Sequence, residues 1–297
     1  MPLVAAAVCP GPPLLIPEIA VGAAAELDDL RAACDGAVGR LLAARPDGIL
    51  IVGTGAETSW RRPDEYGTFA PWGVLLEIVP GRRGHPTLPL SLMIGAWLLG
   101  RSAELAPPVA APPASTAPPI AAPPASTEPS GTTAPAGTEP TGTEPAGTTE
   151  PAGGPAPVIA TAAVAAGGPI AVGMASVAAG EPPAGAAAFG RDRCAPWRPR
   201  VALLVVGDGS AYRPYPPSYG DPRAQLFDAV AAKALATADG GALLALDPSL
   251  AGDLMVTGRP VWQALAGAAS GADWRGELLY DAAPYGVGYL VAAWESA

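Results

Sequence analysis

Three glycine-bearing segments carry side chains able to do chemistry at the ends of apolar runs: Cys9-Pro10-Gly11-Pro12-Pro13, Gly53-Thr54-Gly55-Ala56-Glu57 and Gly207-Asp208-Gly209-Ser210-Ala211. Each follows an apolar run of buried-strand type, and in α/β sheets the loops leaving the carboxyl ends of strands form the pockets. Asp208 has the chemistry of a metal or substrate ligand, Cys9 that of a soft ligand or thiol nucleophile, and Ser210 that of a hydroxyl nucleophile. Each also has a plain structural reading: turn and cap residues for Asp208 and Ser210, a small buried thiol for Cys9. The second segment is not a dinucleotide fingerprint, because the third glycine is missing and Trp60-Arg61-Arg62-Pro63 follows where a helix should start. The third lacks the GxSxG elbow of an activated serine.

Scarcity narrows the field further. The 297 residues include a single histidine, His85, between Gly84 and Pro86 in a loop-like stretch. Two-His-one-carboxylate iron sites and His-rich zinc sites need more imidazoles than this, and any Ser-His-Asp device would have to run through His85. The formal charge is -10, Lys233 is the one lysine, and the arginines are dispersed. Nucleic-acid binding needs a basic face, so no nucleic-acid partner is expected. Cys9, Cys34 and Cys194 are odd in number and widely spaced, which points away from a disulfide framework and toward a reducing, cytoplasmic location. No membrane span is expected either: the N-terminus has no basic flank, and the uncharged stretch 151–180 is weakly apolar and broken at Gly167-Gly168-Pro169.

The elements that must position these loops alternate along the chain. Apolar runs predict strands at 2–8, 48–53, 74–79, 158–165, 170–177 and 201–206, with a closing pair at 276–281 and 286–294. Helical spacing predicts helices at 22–45, 90–100, 222–238, 248–257 and 259–269. Strands apolar on both faces and separated by helices give a mixed, largely buried sheet with helices on both faces, an α/β three-layer sandwich. Trp97, Trp262 and Trp294 fall in its core pattern, whereas Tyr212, Tyr215, Tyr219 and Tyr285 lie in Pro- and Gly-rich loops suited to lining a pocket for an aromatic or sugar ligand.

Residues 106–157 interrupt this pattern with Pro, Ala, Thr, Gly, Ser and Glu, including a repeat of APPAST at 111–116 and 122–127. Few large apolar side chains are present to offset chain entropy, so a disordered insertion is expected between two parts of one domain, 1–105 and 158–297. Replacing 106–157 by a short Gly-Ser linker should leave the melting temperature nearly unchanged, since loop closure changes by only about 0.6 kcal/mol per doubling of length. A large drop would mean that the segment is folded structure.

In CPGPPLLIPE (9–18), LPLSLMIGAWLL (88–99), VALLVVGDGSAYR (201–213), GRPVWQALAGA (258–268) and LLYDAAPYGVGYLVAAW (278–294) the chain resembles the class III extradiol ring-cleavage dioxygenase family, in an actinobacterial-type branch of its B-type subunits. The resemblance implies a mixed sheet between helices and iron(II)-dependent catechol cleavage. It also implies a histidine ligand where Gly11 stands, a second in the region of 53–58, and an acid/base histidine where Ala211 stands. None of the three is an imidazole here, and Asp281 is the nearest candidate for the carboxylate ligand. The expectation is therefore a non-catalytic binding or scaffold protein without metal or cofactor. Cys9, Gly11, Asp208, Ser210, Asp281 and Tyr285 are its pocket candidates, with a small aromatic ligand and a second copy or other partner chain. The alternative is an active iron(II) dioxygenase with a site rebuilt from Cys9, His85 and carboxylates or shared with a partner.

Overall fold

The structure, a computed structural model, describes residues 3–105, 158–160, 163–165, 168–214 and 220–297. The expected insertion at 106–157, and Tyr215 and Tyr219, lie outside these residues. In chain order the elements are β1 (Leu3–Cys9), α1 (Pro17–Ala20), α2 (Asp28–Ala43), β2 (Gly48–Gly55), β3 (Ser59–Trp60), β4 (Gly67–Thr68), β5 (Glu77–Val79) and α3 (Leu90–Leu105). They continue with β6 (Val158–Ala160), β7 (Ala163–Ala165), β8 (Gly168–Ala178), α4 (Pro183–Phe189), β9 (Val201–Val206), α5 (Pro222–Ala236), α6 (Gly240–Leu244), α7 (Pro248–Asp253), α8 (Gly258–Ala268), β10 (Trp274–Ala282) and β11 (Tyr289–Ser296).

The main sheet runs β10-β11-β1-β9-β2-β8-β3 in space, with β7 also paired to β8. Its middle, β1-β9-β2-β8, is parallel, while β11 closes antiparallel on β1 and carries β10 outside it. Parallel strands require covered faces, and β9 shows the consequence: all six of its residues are buried. Because successive side chains alternate, Val201, Leu203 and Val205 enter one apolar layer with Phe227, Trp262 and Leu265, whereas Ala202, Leu204 and Val206 enter the other with Leu30, Val38 and Leu92. Helices α5 and α8 cover the first face and α2 and α3 the second, which makes the three-layer α/β sandwich that the apolar runs predict.

Several boundaries differ for identifiable reasons. The helix predicted from 22 becomes a 3-10 stretch, Val21–Leu27, and α2 begins only at Asp28. The segment Gly22–Ala25 offers no large apolar side chain to anchor a regular turn, and Leu27 is the first fully buried one. The predicted strand 158–165 is divided: β6 joins β4 and β5 in a small separate sheet, while β7 folds back antiparallel on β8. The Ala-rich α4 and the short α6 carry too weak an apolar period to be read from sequence, and α3 continues past the predicted end at 100.

Close approach of α4 to α8 rests on two glycines. A Cβ on Gly267 would run into the Ala187 carbonyl, and one on Gly190 into the Ala264 carbonyl of α8. Gly267→Val should therefore cost about 1–3 kcal/mol in a denaturant titration, as overpacking does. An unchanged midpoint would show that the two helices can separate freely.

Candidate functional site

The parallel strands end on one side of the sheet, and the chain reverses its direction of travel there. The path from β1 to β2 steps over the place that β9 later fills, and the path from β8 returns to fill it. Such a reversal opens a crevice beyond the carboxyl ends of the strands. Here it is a cleft of about 260 Å³. Gly11 follows β1, Thr54 and Gly55 end β2, and Gly207 and Asp208 follow β9. Leu90 and Ser91, at the start of α3, and Thr257, just before α8, close it.

A chain of hydrogen bonds ties these five element ends together. Asp208 Oδ1 accepts the Gly11 N–H at 2.8 Å, and the Asp208 N–H donates to Thr257 Oγ1 at 2.8 Å. The Asp208 carbonyl accepts the Gly258 N–H, the first of α8, at 2.8 Å. Thr54 Oγ1 donates to the Thr257 carbonyl at 2.6 Å, and Ser91 Oγ donates to the Thr54 carbonyl at 2.9 Å. Glycine makes this junction fit: a Cβ on Gly207 would lie 2.6 Å from Gly258 Cα, so a side chain there would push α8 off the end of β9.

Asp208 is half-buried between strand ends, and desolvation there raises its carboxyl to about 6 from 3.8, partly opposed by the Gly11 N–H. Tyr289, at the start of β11, is buried, and its phenol is raised first by that burial and then by Asp208 and neighbouring tyrosines. A raised carboxyl pKa means that the fold favours the protonated acid. The contribution of Asp208 to stability is therefore fullest below pH 3.8 and is lost as pH rises toward 6. Comparing Asp208→Asn with the parent across pH 3–8 should show the variant gaining relative stability over that window and level above it. A flat difference would mean that Asp208 titrates like a free carboxylate.

The other sequence candidates are distributed differently. Ser210 is fully buried, donates its hydroxyl to the Leu254 carbonyl at 3.2 Å and accepts the Tyr212 N–H at 3.0 Å. Its own N–H goes to Asp228 Oδ1 at 2.8 Å, so it serves the turn rather than the cleft. Cys9 is fully buried among the apolar side chains between the sheet and α2, together with Cys34, whose thiol burial pushes well up. Asp281 lies on β10, 3.9 Å from Arg213, and Tyr285 Oη donates to Glu26 at 2.8 Å. His85 is exposed, on a loop whose backbone pairs with Asp64 and Tyr66, and does not line the cleft. Ala211 donates its N–H to the Leu254 carbonyl and has no side-chain donor.

Sequence reasoning missed Ser91, Thr257 and Asp228. The first two carried a legible signal, since Pro89-Leu90-Ser91 and Thr257-Gly258-Arg259-Pro260 place proline near a helix start beside a hydroxyl residue. Asp228, on α5, had none, because its role depends on contact with a turn 18 residues away.

Among the described residues, one carboxylate, three hydroxyls and backbone groups are thus the donors that line the cleft, with no imidazole or thiolate. Nor does any group of three His, Cys, Asp or Glu side chains placed to hold a metal ion occur among those residues. Iron(II) ring-cleavage sites hold the metal with nitrogen and carboxylate ligands in a facial set, and this donor set does not fit one. No helix among the described residues is long and apolar enough to cross a membrane. No protein-family model matches the chain, and no curated protein matches it.

Proposed function

We propose that this chain is a metal-free, non-catalytic relative of the class III extradiol dioxygenases that binds a small aromatic ligand in the Asp208 cleft of a cytoplasmic protein. One observation carries the reading: the cleft stands at the carboxyl ends of β1, β2 and β9 around a carboxyl with a raised pKa, where α/β folds place their ligands. Gly11 and Ala211, where the resemblance expects imidazoles, supply no ligand atom. The three free, buried cysteines suit a reducing compartment. A volume of about 260 Å³ holds a one-ring molecule rather than a dinucleotide.

The experiment combines metal analysis of the purified protein, equilibrium dialysis with catechol in the presence of a chelator, and oxygen uptake after anaerobic loading with iron(II). The reading expects saturable catechol binding without metal and no oxygen uptake. Stoichiometric iron with catechol-dependent oxygen uptake would replace it by the dioxygenase alternative.

A further inference from the structure

The hydrogen bonds already made in the cleft restrict what its ligand must bring, taking the cleft as a ligand site. The hydroxyl protons of Ser91 and Thr54 are both committed to backbone carbonyls, at 2.9 and 2.6 Å. Their oxygens are left to accept. Asp208 Oδ1 already holds the Gly11 N–H, whereas Oδ2 has no donor among the described residues. The first N–H of α8 is spent on the Asp208 carbonyl, which removes the donor that a ligand would meet first at that helix. Among the described residues neither arginine nor lysine lines the cleft.

We propose that the ligand carries a primary ammonium group, seated against Asp208, Thr54 and Ser91. An ammonium has three N–H donors and no acceptor, which matches the three acceptors that line this one cleft. Asp208 is the one ionisable side chain among the lining residues, so the unit charge it carries when ionised is matched by a cation. The starts of α3 and α8 both oppose a cation, but each terminus amounts to only about half a charge spread over several N–H groups, against a full charge at hydrogen-bond distance. A carboxylate or phosphate would instead set lone pairs against those of Asp208, Thr54 and Ser91, with the Thr257 hydroxyl proton alone unspent among the described side chains that line the cleft. Leu90 and the glycines leave apolar wall for a ring, and a formal charge of -10 raises the local concentration of small cations.

Calorimetric titration of the full chain with benzylamine, benzyl alcohol and benzoate, at pH 5 and pH 8, tests this. Benzylamine should bind about tenfold more tightly at pH 8 than at pH 5, because Asp208 is mostly protonated at the lower pH and the amine is charged at both. The other titratable group near Asp208, Tyr289 on β11, stays neutral over that range. Benzyl alcohol should bind at least tenfold more weakly and benzoate not at all. Asp208→Asn, with an unchanged circular dichroism spectrum, should lose the benzylamine preference, and Thr54→Val should weaken benzylamine alone. Equal or tighter binding of the alcohol or benzoate overturns the ammonium assignment and leaves the cleft as a ligand site. Binding of none of the three overturns both.

Discussion

Asp228→Ala is expected to cost about 3–5 kcal/mol, the loss seen when one member of a buried ion pair is removed. Asp228 is fully buried on α5, accepts the Ser210 N–H at 2.8 Å and pairs with Arg213 at 3.2 Å. Burial raises its carboxyl, opposed by the Ser210 N–H and then by Arg213, so the group is held by partners rather than by solvent. The turn closes directly over it: a Cβ on Gly209 would fall 2.9 Å from Asp228 Oδ1, and Gly288 crowds the other oxygen. Removal would orphan a buried N–H and leave the mostly buried guanidinium of Arg213 without its nearest partner. Urea unfolding measures the change. A loss below about 1 kcal/mol would mean that the turn holds itself, as an ordinary exposed pair would allow.

Gly11→Leu should weaken ligand binding about 100-fold while the protein stays folded. A Cβ at position 11 would sit 3.1 Å from Val206 Cγ1 and 3.7 Å from Ser91 Cα, tight but accommodated by small shifts. The rest of the leucine would then occupy the cleft wall that Gly11 and Ser91 share. Affinity should fall about 100-fold, or about 2.7 kcal/mol, with a stability loss near 1 kcal/mol. Unchanged affinity would place the ligand elsewhere. Gly11→His should act in the same way, as a plug rather than a restored metal ligand, because no second imidazole lines the cleft among the described residues.

The scaffold was legible where local pattern and tertiary demand coincide. The runs at 48–53 and 201–206 are apolar at every position because both faces of those strands are covered, and no other element satisfies such a run so compactly. Where the pattern is weak, tertiary context decided: the Ala-rich 158–165 divides between two sheets, and α4 lies against α8 because Gly190 and Gly267 leave room for it. In the site, Gly11 and Asp208 were readable from their place after apolar strands. Ser210 read as a turn residue ahead of a nucleophile, and its bonds to Leu254, Tyr212 and Asp228 place it in the turn. Thr257 and Ser91 meet Asp208 and Thr54 across separations of 49 and 37 residues, which no local pattern encodes.

The most direct measurement of the central claim is the amide spectrum of isotope-labelled protein titrated with catechol in the presence of a chelator, then again after anaerobic addition of iron(II). A metal-free ligand cleft predicts shifts at Gly11, Gly55, Gly207, Asp208 and Thr257 in the first titration, saturating together and unaltered by iron. Shifts that appear only once iron(II) is present, accompanied on admission of oxygen by uptake that His85→Ala abolishes, would contradict it.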